Sequence, residues 1–338
     1  MSEHDHDHAG APGTGSHAGH SHAVAENADR RWLGIALTLI ASFMAVEVVV
    51  GVLAQSLALI SDAAHMLTDA ASIVLALIAM RLAARPARGG FTYGLKRAEI
   101  LSAQVNGLTL LLLAAWLAYE AVRRLIDPPA VEGALVLVTA LAGIVVNIAA
   151  AWCISKANRT SLNVEGAYQH ILNDLFAFIG TAVAGLIVLT TGFVRADSIA
   201  TLVVVALMVK AGYGLLRESG RIFMEAAPAH LDPDVVGDRL VSQAPVTEVH
   251  DLHIWTITSG QAALSAHVLV AQDGDCHAVR RELEQLLDKE YGITHTTLQV
   301  DHAQESLLAV GRAGEASWDG GHCTDPHGPV HLNGPHGH

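Results

Sequence analysis

The chain has 338 residues, of which 51% are hydrophobic and only 16% charged, and its formal net charge is −13. Soluble domains average about 25% charged residues, so this composition excludes an ordinary soluble enzyme. The excess of 33 acidic over 20 basic residues also excludes a nucleic-acid partner, because it would repel a phosphate backbone.

Six stretches almost free of charge predict six transmembrane helices. Each has about 18–25 residues, which is enough to cross a hydrocarbon core of about 30 Å. The stretches are residues 33–53, 57–80, 100–122, 134–154, 166–190 and 199–216. The sequence therefore predicts a polytopic protein in contact with membrane lipid, with a membrane domain over residues 31–222.

The basic residues of the short loops predict the orientation. The first 30 residues are polar and acidic, unlike a cleavable signal peptide. With a cytoplasmic amino terminus, the cytoplasmic segments hold Arg30, Arg31, Arg81, Arg85, Arg88, Lys96, Arg97, Lys156, Arg159, Arg217 and Arg221, and the opposite loops only Arg123, Arg124 and Arg195. Because Lys and Arg accumulate in cytoplasmic loops, we expect both termini in the cytoplasm.

The sequence outside the spans divides into two tails and one domain. Residues 1–30 carry six histidines and residues 303–338 carry five, in contexts too polar to pack, so both are predicted to be disordered segments that capture zinc weakly. Residues 223–302 are predicted to form a small α+β domain. Its expected elements are a helix over 233–243, strands over 246–258 and 262–271, a helix over 275–291 and a strand over 293–301.

Two pairs of polar residues with the same H-x-x-x-D spacing interrupt the spans. They are His65 and Asp69 in the second span, and His170 and Asp174 in the fifth. An i,i+4 step places both side chains on one helix face, about 5–6 Å apart at Cβ, and each intramembrane charge costs about 2.5–3.5 kcal/mol. Either pair alone is also compatible with an interhelical hydrogen bond. Because both pairs are predicted at similar depth, about 12 Å from the inner face, they favour a tetrahedral site of two imidazoles and two carboxylates, which suits Zn²⁺.

The runs Ser-Leu-Ala-Leu-Ile-Ser-Asp-Ala-Ala-His-Met-Leu-Thr-Asp at 56–69 and Phe-Thr-Tyr-Gly-Leu-Lys-Arg-Ala-Glu-Ile at 91–100 resemble the cation diffusion facilitator family, in particular its zinc, cadmium and cobalt members. The resemblance covers about residues 31–302. It implies a six-helix homodimeric transporter in the bacterial plasma membrane that exports Zn²⁺ in exchange for protons. It also implies a cytoplasmic, metallochaperone-like domain of ferredoxin-like fold, and a transport site of His65, Asp69, His170 and Asp174.

The same resemblance indicates metal ligands in the cytoplasmic domain. The runs Val-His-Asp-Leu-His-Ile-Trp at 249–255 and Leu-Ser-Ala-His-Val at 264–268 look like the family's pattern, in which histidines on adjacent strands bind metal near the dimer interface. The candidates are His250, His267, His277 and Asp301. Gln299 stands where some members have a histidine, and no loop metal site is expected, because Phe91 and Leu95 stand at the matching loop positions.

Metal binding needs ionised carboxylates and neutral imidazoles, so protons and Zn²⁺ compete for the same side chains. This competition predicts a secondary active transporter for Zn²⁺, with Cd²⁺ and Co²⁺ as further substrates, rather than an enzyme. An intramembrane metalloprotease fits poorly, because no H-E-x-x-H motif is present and four protein ligands leave no position for water. The alternative is a membrane-anchored zinc sensor or buffer.

Overall fold

The computed structural model of the chain describes residues 22–53, 57–127, 133–159, 161–303 and 328–333. Six long helices come first: α1 (His22–Leu53), α2 (Leu57–Ala83), α3 (Ala98–Ile126), α4 (Gly133–Ser155), α5 (Leu162–Thr191) and α6 (Ala196–Phe223). The remaining elements are α7 (Pro233–Val241), β1 (Val246–Thr258), β2 (Gln261–Val270), α8 (Cys276–Tyr291), β3 (His295–His302) and β4 (His331–Leu332). A helical bundle thus precedes an α+β domain.

Among the described residues, five helices are long and apolar enough to cross a membrane. The candidate spans are Asp29–Val49 in α1, Ala98–Ile126, Leu137–Ser155 in α4, Leu162–Thr191, and Ser198–Phe223 in α6. Helix α2, which the sequence predicts as the second of six spans, is not among them. The structure therefore shows a helical membrane domain with five candidate spans.

Two apolar cores hold the bundle together, and α5 lies between them. The first core joins α1, α2, α4 and α5 through buried side chains such as Leu33, Ile73 and Ile171. The second joins α3 to α6 around Leu110 and Met208, and Ala177 of α5 packs against it. Polar side chains on α5 can therefore meet both groups of helices.

The α+β domain folds around a four-stranded sheet of order β3-β2-β1-β4. Strands β1 and β2 are antiparallel, β3 is parallel to β2, and α7 and α8 bury Leu240, Leu283 and Leu287 in one core with the strands. Helix α8 begins after Asp275, whose carboxylate accepts hydrogen bonds from the backbone N–H groups of Ala278 and His277; these bonds lower its pKa. The predicted helices and strands of this domain are confirmed to within a few residues.

Contacts between the two parts fix which end of the bundle faces the sheet. The backbone N–H of Leu162, at the start of α5, donates to Ser259 Oγ in the β1–β2 turn at 3.0 Å. Lys96, just before α3, donates from Nζ to Gln261 Oε1 at 2.6 Å, and Arg97 pairs with Glu225 at 3.2 Å. The first turns of α3 and α5 therefore lie at the end next to the α+β domain.

The prediction of a disordered amino-terminal tail over residues 1–30 is wrong for residues 22–30, which belong to α1. Three alanines within this segment favour helix and extend the first span. Asp29 is buried and accepts a hydrogen bond from the backbone N–H of Asn158 at 2.8 Å. Residues 1–21 lie outside the part of the chain that the structure describes.

The prediction of disorder for residues 303–338 is likewise wrong where β4 forms. Strand β4 pairs antiparallel with β1, and Asn333 Nδ2 donates to Val246 O at 3.0 Å. His331 is buried and its Nδ1 lies 2.8 Å from Asp238 Oδ1; a side chain at Gly237 would overlap its ring. One histidine of the predicted tail thus packs against the folded domain. Residues 304–327 and 334–338 lie outside the described part.

Candidate metal centre

Three potential metal ligands meet between α2 and α5. Asp69 lies on α2, His170 and Asp174 lie one turn apart on α5, and one ligand atom of each lies within 4.8 Å of the others. His170 Nε2 is 3.0 Å from Asp69 Oδ1, and both residues are buried. The structure thus brings three of the four predicted transport-site residues together. His65 belongs to α2, one turn before Asp69, but its side chain lies outside the described part.

A hydrogen bond joins α2 to α5 about two turns from these residues. Asn163 Nδ2, in the first turn of α5, donates to Ala76 O of α2 at 3.0 Å in a fully buried position. Within α2, Ser72 Oγ donates to the backbone oxygen of Asp69 at 2.8 Å. Because an unpaired buried amide is costly, the bond from Asn163 resists sliding of α5 along α2.

The two carboxylates of this cluster face a mainly apolar cavity of about 190 Å³. Helices α2, α3, α5 and α6 line it with Met66, Asp69, Leu113, Leu117, Asn173, Asp174, Ala177, Phe178, Thr181, Thr201, Val204 and Met208. Two ionised carboxylates in such surroundings need a cation nearby. Imidazole and carboxylate are ligands that borderline divalent metals accept, so the cluster can hold either such an ion or protons.

A second cluster of potential ligands lies in the α+β domain. It consists of His250 and Asp251 on β1 and His267 on β2, with ligand atoms within 4.8 Å of one another. His250 and His267 are directly opposite in the sheet register, and their rings meet edge to face at 5.4 Å. Asp251 Oδ2 lies 3.5 Å from His267 Nδ1, and Glu248 Oε1 lies 2.9 Å from His250 Nδ1. This set fits a divalent cation, since it offers two imidazoles and a carboxylate.

The other two residues predicted for the cytoplasmic domain stand elsewhere. His277 is exposed in the first turn of α8, and Asp301 on β3 accepts a hydrogen bond from Gln299 Nε2 at 2.9 Å. Among the described residues, neither belongs to a group of three ligands within reach of one ion.

Sequence reasoning missed Asp251, although it directly follows His250. Alternation along a regular strand would place the two side chains on opposite faces of the sheet. In the structure, the register shifts between His250 and His253, and Asp251 has a φ of 48°, in the left-handed region. This irregularity turns the carboxylate toward His267. The only sequence signal was the acidic residue in the V-H-D-L run.

Family models match both the helical bundle and the α+β domain. Residues 33–224 match the family model described as "Cation efflux transmembrane domain". Residues 230–303 match the one described as "Cation efflux protein, cytoplasmic domain". A solved structure, the metal-bound C-terminal domain of the CzcD transporter of Cupriavidus metallidurans, is 37% identical with a TM-score of 0.20, covering 21% of this chain and 97% of that one.

Full-length relatives are similar over most of the sequence. The chain is 36% identical over 288 residues to a cadmium, cobalt and zinc/H(+)-K(+) antiporter of Bacillus subtilis, covering 84% of this chain and 92% of that protein. It is 38% identical to the metal cation efflux system protein CzcD of Cupriavidus metallidurans, with coverages of 85% and 90%. It is 34% identical to the zinc transporter ZitB of Escherichia coli, with coverages of 85% and 92%.

Proposed function

The chain belongs to the cation efflux family of membrane transporters, and we propose that it exports Zn²⁺ from the cytoplasm in exchange for protons. Like its relatives, it is a metal transporter and not an enzyme. Cd²⁺ and Co²⁺, which the name of the Bacillus subtilis relative includes, are proposed as further substrates.

The observation that carries the proposal is the cluster of buried Asp69 and His170 with half-buried Asp174, between two helices of the membrane domain. A membrane anchor gains nothing from carboxylates at this depth, because each adds to the cost of insertion. A transport site does need them. We propose that His65, one turn before Asp69 on α2, is the fourth ligand and completes a tetrahedral set for Zn²⁺.

Proton coupling follows from the chemistry of these ligands. When Zn²⁺ leaves, a proton on His170 would face Asp69, whose Oδ1 lies 3.0 Å from Nε2, and the pair would remain neutral as a whole. Zn²⁺ entering from the cytoplasm displaces this proton, because the ion binds only the neutral imidazole. Alternating exposure of the site to the two sides converts the competition into exchange.

The remaining architecture is proposed from the family. The chain would cross the bacterial inner membrane six times, with α2 as the second span, and both termini would be cytoplasmic. Two copies would associate as a homodimer through the cytoplasmic domain. From the geometry of the second cluster, we also propose that His250, Asp251 and His267 bind a resident zinc ion in that domain.

The experiment that tests the proposed site compares zinc binding and zinc flux in the same variants. Asp69→Asn and Asp174→Asn keep the side-chain volume but remove a ligand charge, so both should lose zinc flux in sealed vesicles by about 100-fold or more. Calorimetry on the purified chains should show the loss of one zinc ion per protomer. Normal zinc flux in either variant would contradict the proposed site. A wild-type protein that binds zinc but does not transport it would favour a sensor or buffer.

A further inference from the structure

Asn173 differs from the other polar residues of α5 because it lines two cavities. One is the cavity of about 190 Å³ that contains Asp69 and Asp174. The other, of about 460 Å³, lies between α5 and α6. Within the described ranges, Asn173 is the one residue common to both linings. It therefore stands at the boundary between them.

The larger cavity extends toward the cytoplasmic domain. Leu162 and Glu165 of the first turn of α5 line it together with Gly214 and Leu215 near the end of α6. Leu162 itself hydrogen-bonds to the β1–β2 turn of the cytoplasmic domain. An ion arriving from the cytoplasm would thus meet this cavity before it meets the transport site.

A strip of polar side chains crosses the larger cavity on one face of α5. Glu165, Gln169 and Asn173 follow one another at four-residue steps, which places them in line along the helix. Gln169 Nε2 donates to Glu165 Oε1 at 2.5 Å, and Arg159 pairs with Glu165 at 2.9 Å. Lys210 of α6 is the basic residue of the lining, so a cation would follow the strip on α5.

Asn173 has an unused hydrogen-bond donor at this boundary. The side chain is only 4% exposed, and its Nδ2 is buried without a hydrogen-bond partner among the described residues. A buried amide group without a partner is costly and so calls for an explanation. Water that enters with an ion, outside the ion's first shell, would accept from this N–H.

We propose that Asn173 is a positioning residue for ion entry: its carboxamide binds the water shell of Zn²⁺ as the ion passes from the larger cavity to Asp69 and Asp174. Its Oδ1 can accept from water bound to the ion, and its Nδ2 can donate to the next water. The carboxamide carries no charge that would trap the ion before it reaches the site. Zn²⁺ sheds its water here before the ligands close around it. This inference rests on the proposed transport function and adds a residue to its entry path.

The test separates the rate of entry from the affinity of the site. Everted membrane vesicles present the cytoplasmic face outward, and a zinc-sensitive dye inside reports uptake of added zinc. Asn173→Leu keeps the volume but removes both hydrogen-bonding groups, so the initial rate at subsaturating zinc should fall about tenfold. Calorimetry measures zinc affinity at the transport site, which is identified as the binding event that is absent from the Asp174→Asn variant. This affinity should change less than about twofold in Asn173→Leu. Asn173→Ser, which keeps a small polar group, should recover most of the rate.

Asn147 provides a matched control for the same substitution. It is a buried asparagine of α4 whose Nδ2 donates to Gly143 O at 3.0 Å, and it lines neither cavity. Asn147→Leu should leave the uptake rate unchanged. A wild-type rate in Asn173→Leu, or a loss of rate matched by an equal loss of affinity, would overturn the entry role. Failure of Asp174→Asn to reduce flux would instead overturn the proposed transport site, so the two failures are distinct.

Discussion

Buried polar residues of the bundle differ in what they contact. Asn163 and Asn147 each donate from Nδ2 to a backbone oxygen of a helix, so the carboxamide nitrogen of each is paired within the scaffold. Asp69, His170 and Asp174 instead place their ligand atoms next to one another. Burial alone therefore does not distinguish candidate metal ligands from scaffold residues, whereas mutual proximity of their ligand atoms does.

In the cytoplasmic domain, the ligand set from the sequence, which includes His277, and the set from the structure, which includes Asp251, predict different effects of single substitutions. Because Asp251 faces His267 at 3.5 Å and His277 is exposed on α8, Asp251→Ala should weaken zinc binding by about tenfold or more, and His277→Ala should leave it within about twofold. The measurement is calorimetry in an Asp174→Asn background, in which the transport site is disabled. Equal effects of the two substitutions would contradict the ligand set of His250, Asp251 and His267.

At the scale of elements, α3 and α6 cross closely because glycines meet at the contact. A Cβ at Gly212 would lie 2.9 Å from Gly107 O and 2.9 Å from Leu111 Cγ. Small residues allow this approach in membrane helices. The crossing makes these two helices one packed pair, and their core includes Leu110 and Met208.

Gly212→Ala should therefore destabilise the purified protein by about 1–3 kcal/mol through overpacking. Thermal unfolding followed by scanning fluorimetry should show a lower midpoint. Gly220→Ala is the control on the same helix, since a Cβ there meets nothing within 4 Å; its midpoint should stay the same or rise. Equal stability of Gly212→Ala and the wild type would mean that α3 and α6 are not in close contact.

Strand β4 gives a second test at this scale. A methyl group at Gly237 would overlap the ring of His331, so Gly237→Ala should displace β4 from the edge of β1. Amide hydrogen exchange of residues 330–333 should accelerate, while that of β2 should remain slow. Slow exchange at residues 330–333 in this variant would show that the tail is held by contacts other than those of His331.

Local patterns sufficed to predict much of the fold. Alternation of Val249 with polar neighbours predicted β1, and apolar stretches predicted the long helices, because both depend on nearby residues. The irregularity at Asp251, the docking of His331 and the position of Asn173 between two cavities depend on contacts with residues distant in sequence. The i,i+4 spacing of His170 and Asp174 was informative because it is local to one helix.

At the scale of the whole molecule, α5 connects the parts on which transport would depend. It contributes to both cores of the bundle, contacts the cytoplasmic domain at Leu162, and carries His170, Asn173 and Asp174. A shift of one helix group against the other would change which side of the cluster is open. We propose that this change exchanges zinc for protons at one shared site.

The most direct test measures zinc and proton movement together in everted vesicles that contain a zinc-sensitive and a pH-sensitive dye. With an acidic lumen, zinc uptake by the wild type should accelerate and be accompanied by release of protons from the lumen, and a protonophore that collapses the gradient should slow it. Vesicles with Asp69→Asn should show neither movement. Zinc uptake that is unaffected by the pH gradient, or equal in wild-type and Asp69→Asn vesicles, would contradict exchange of zinc for protons at the site that contains Asp69.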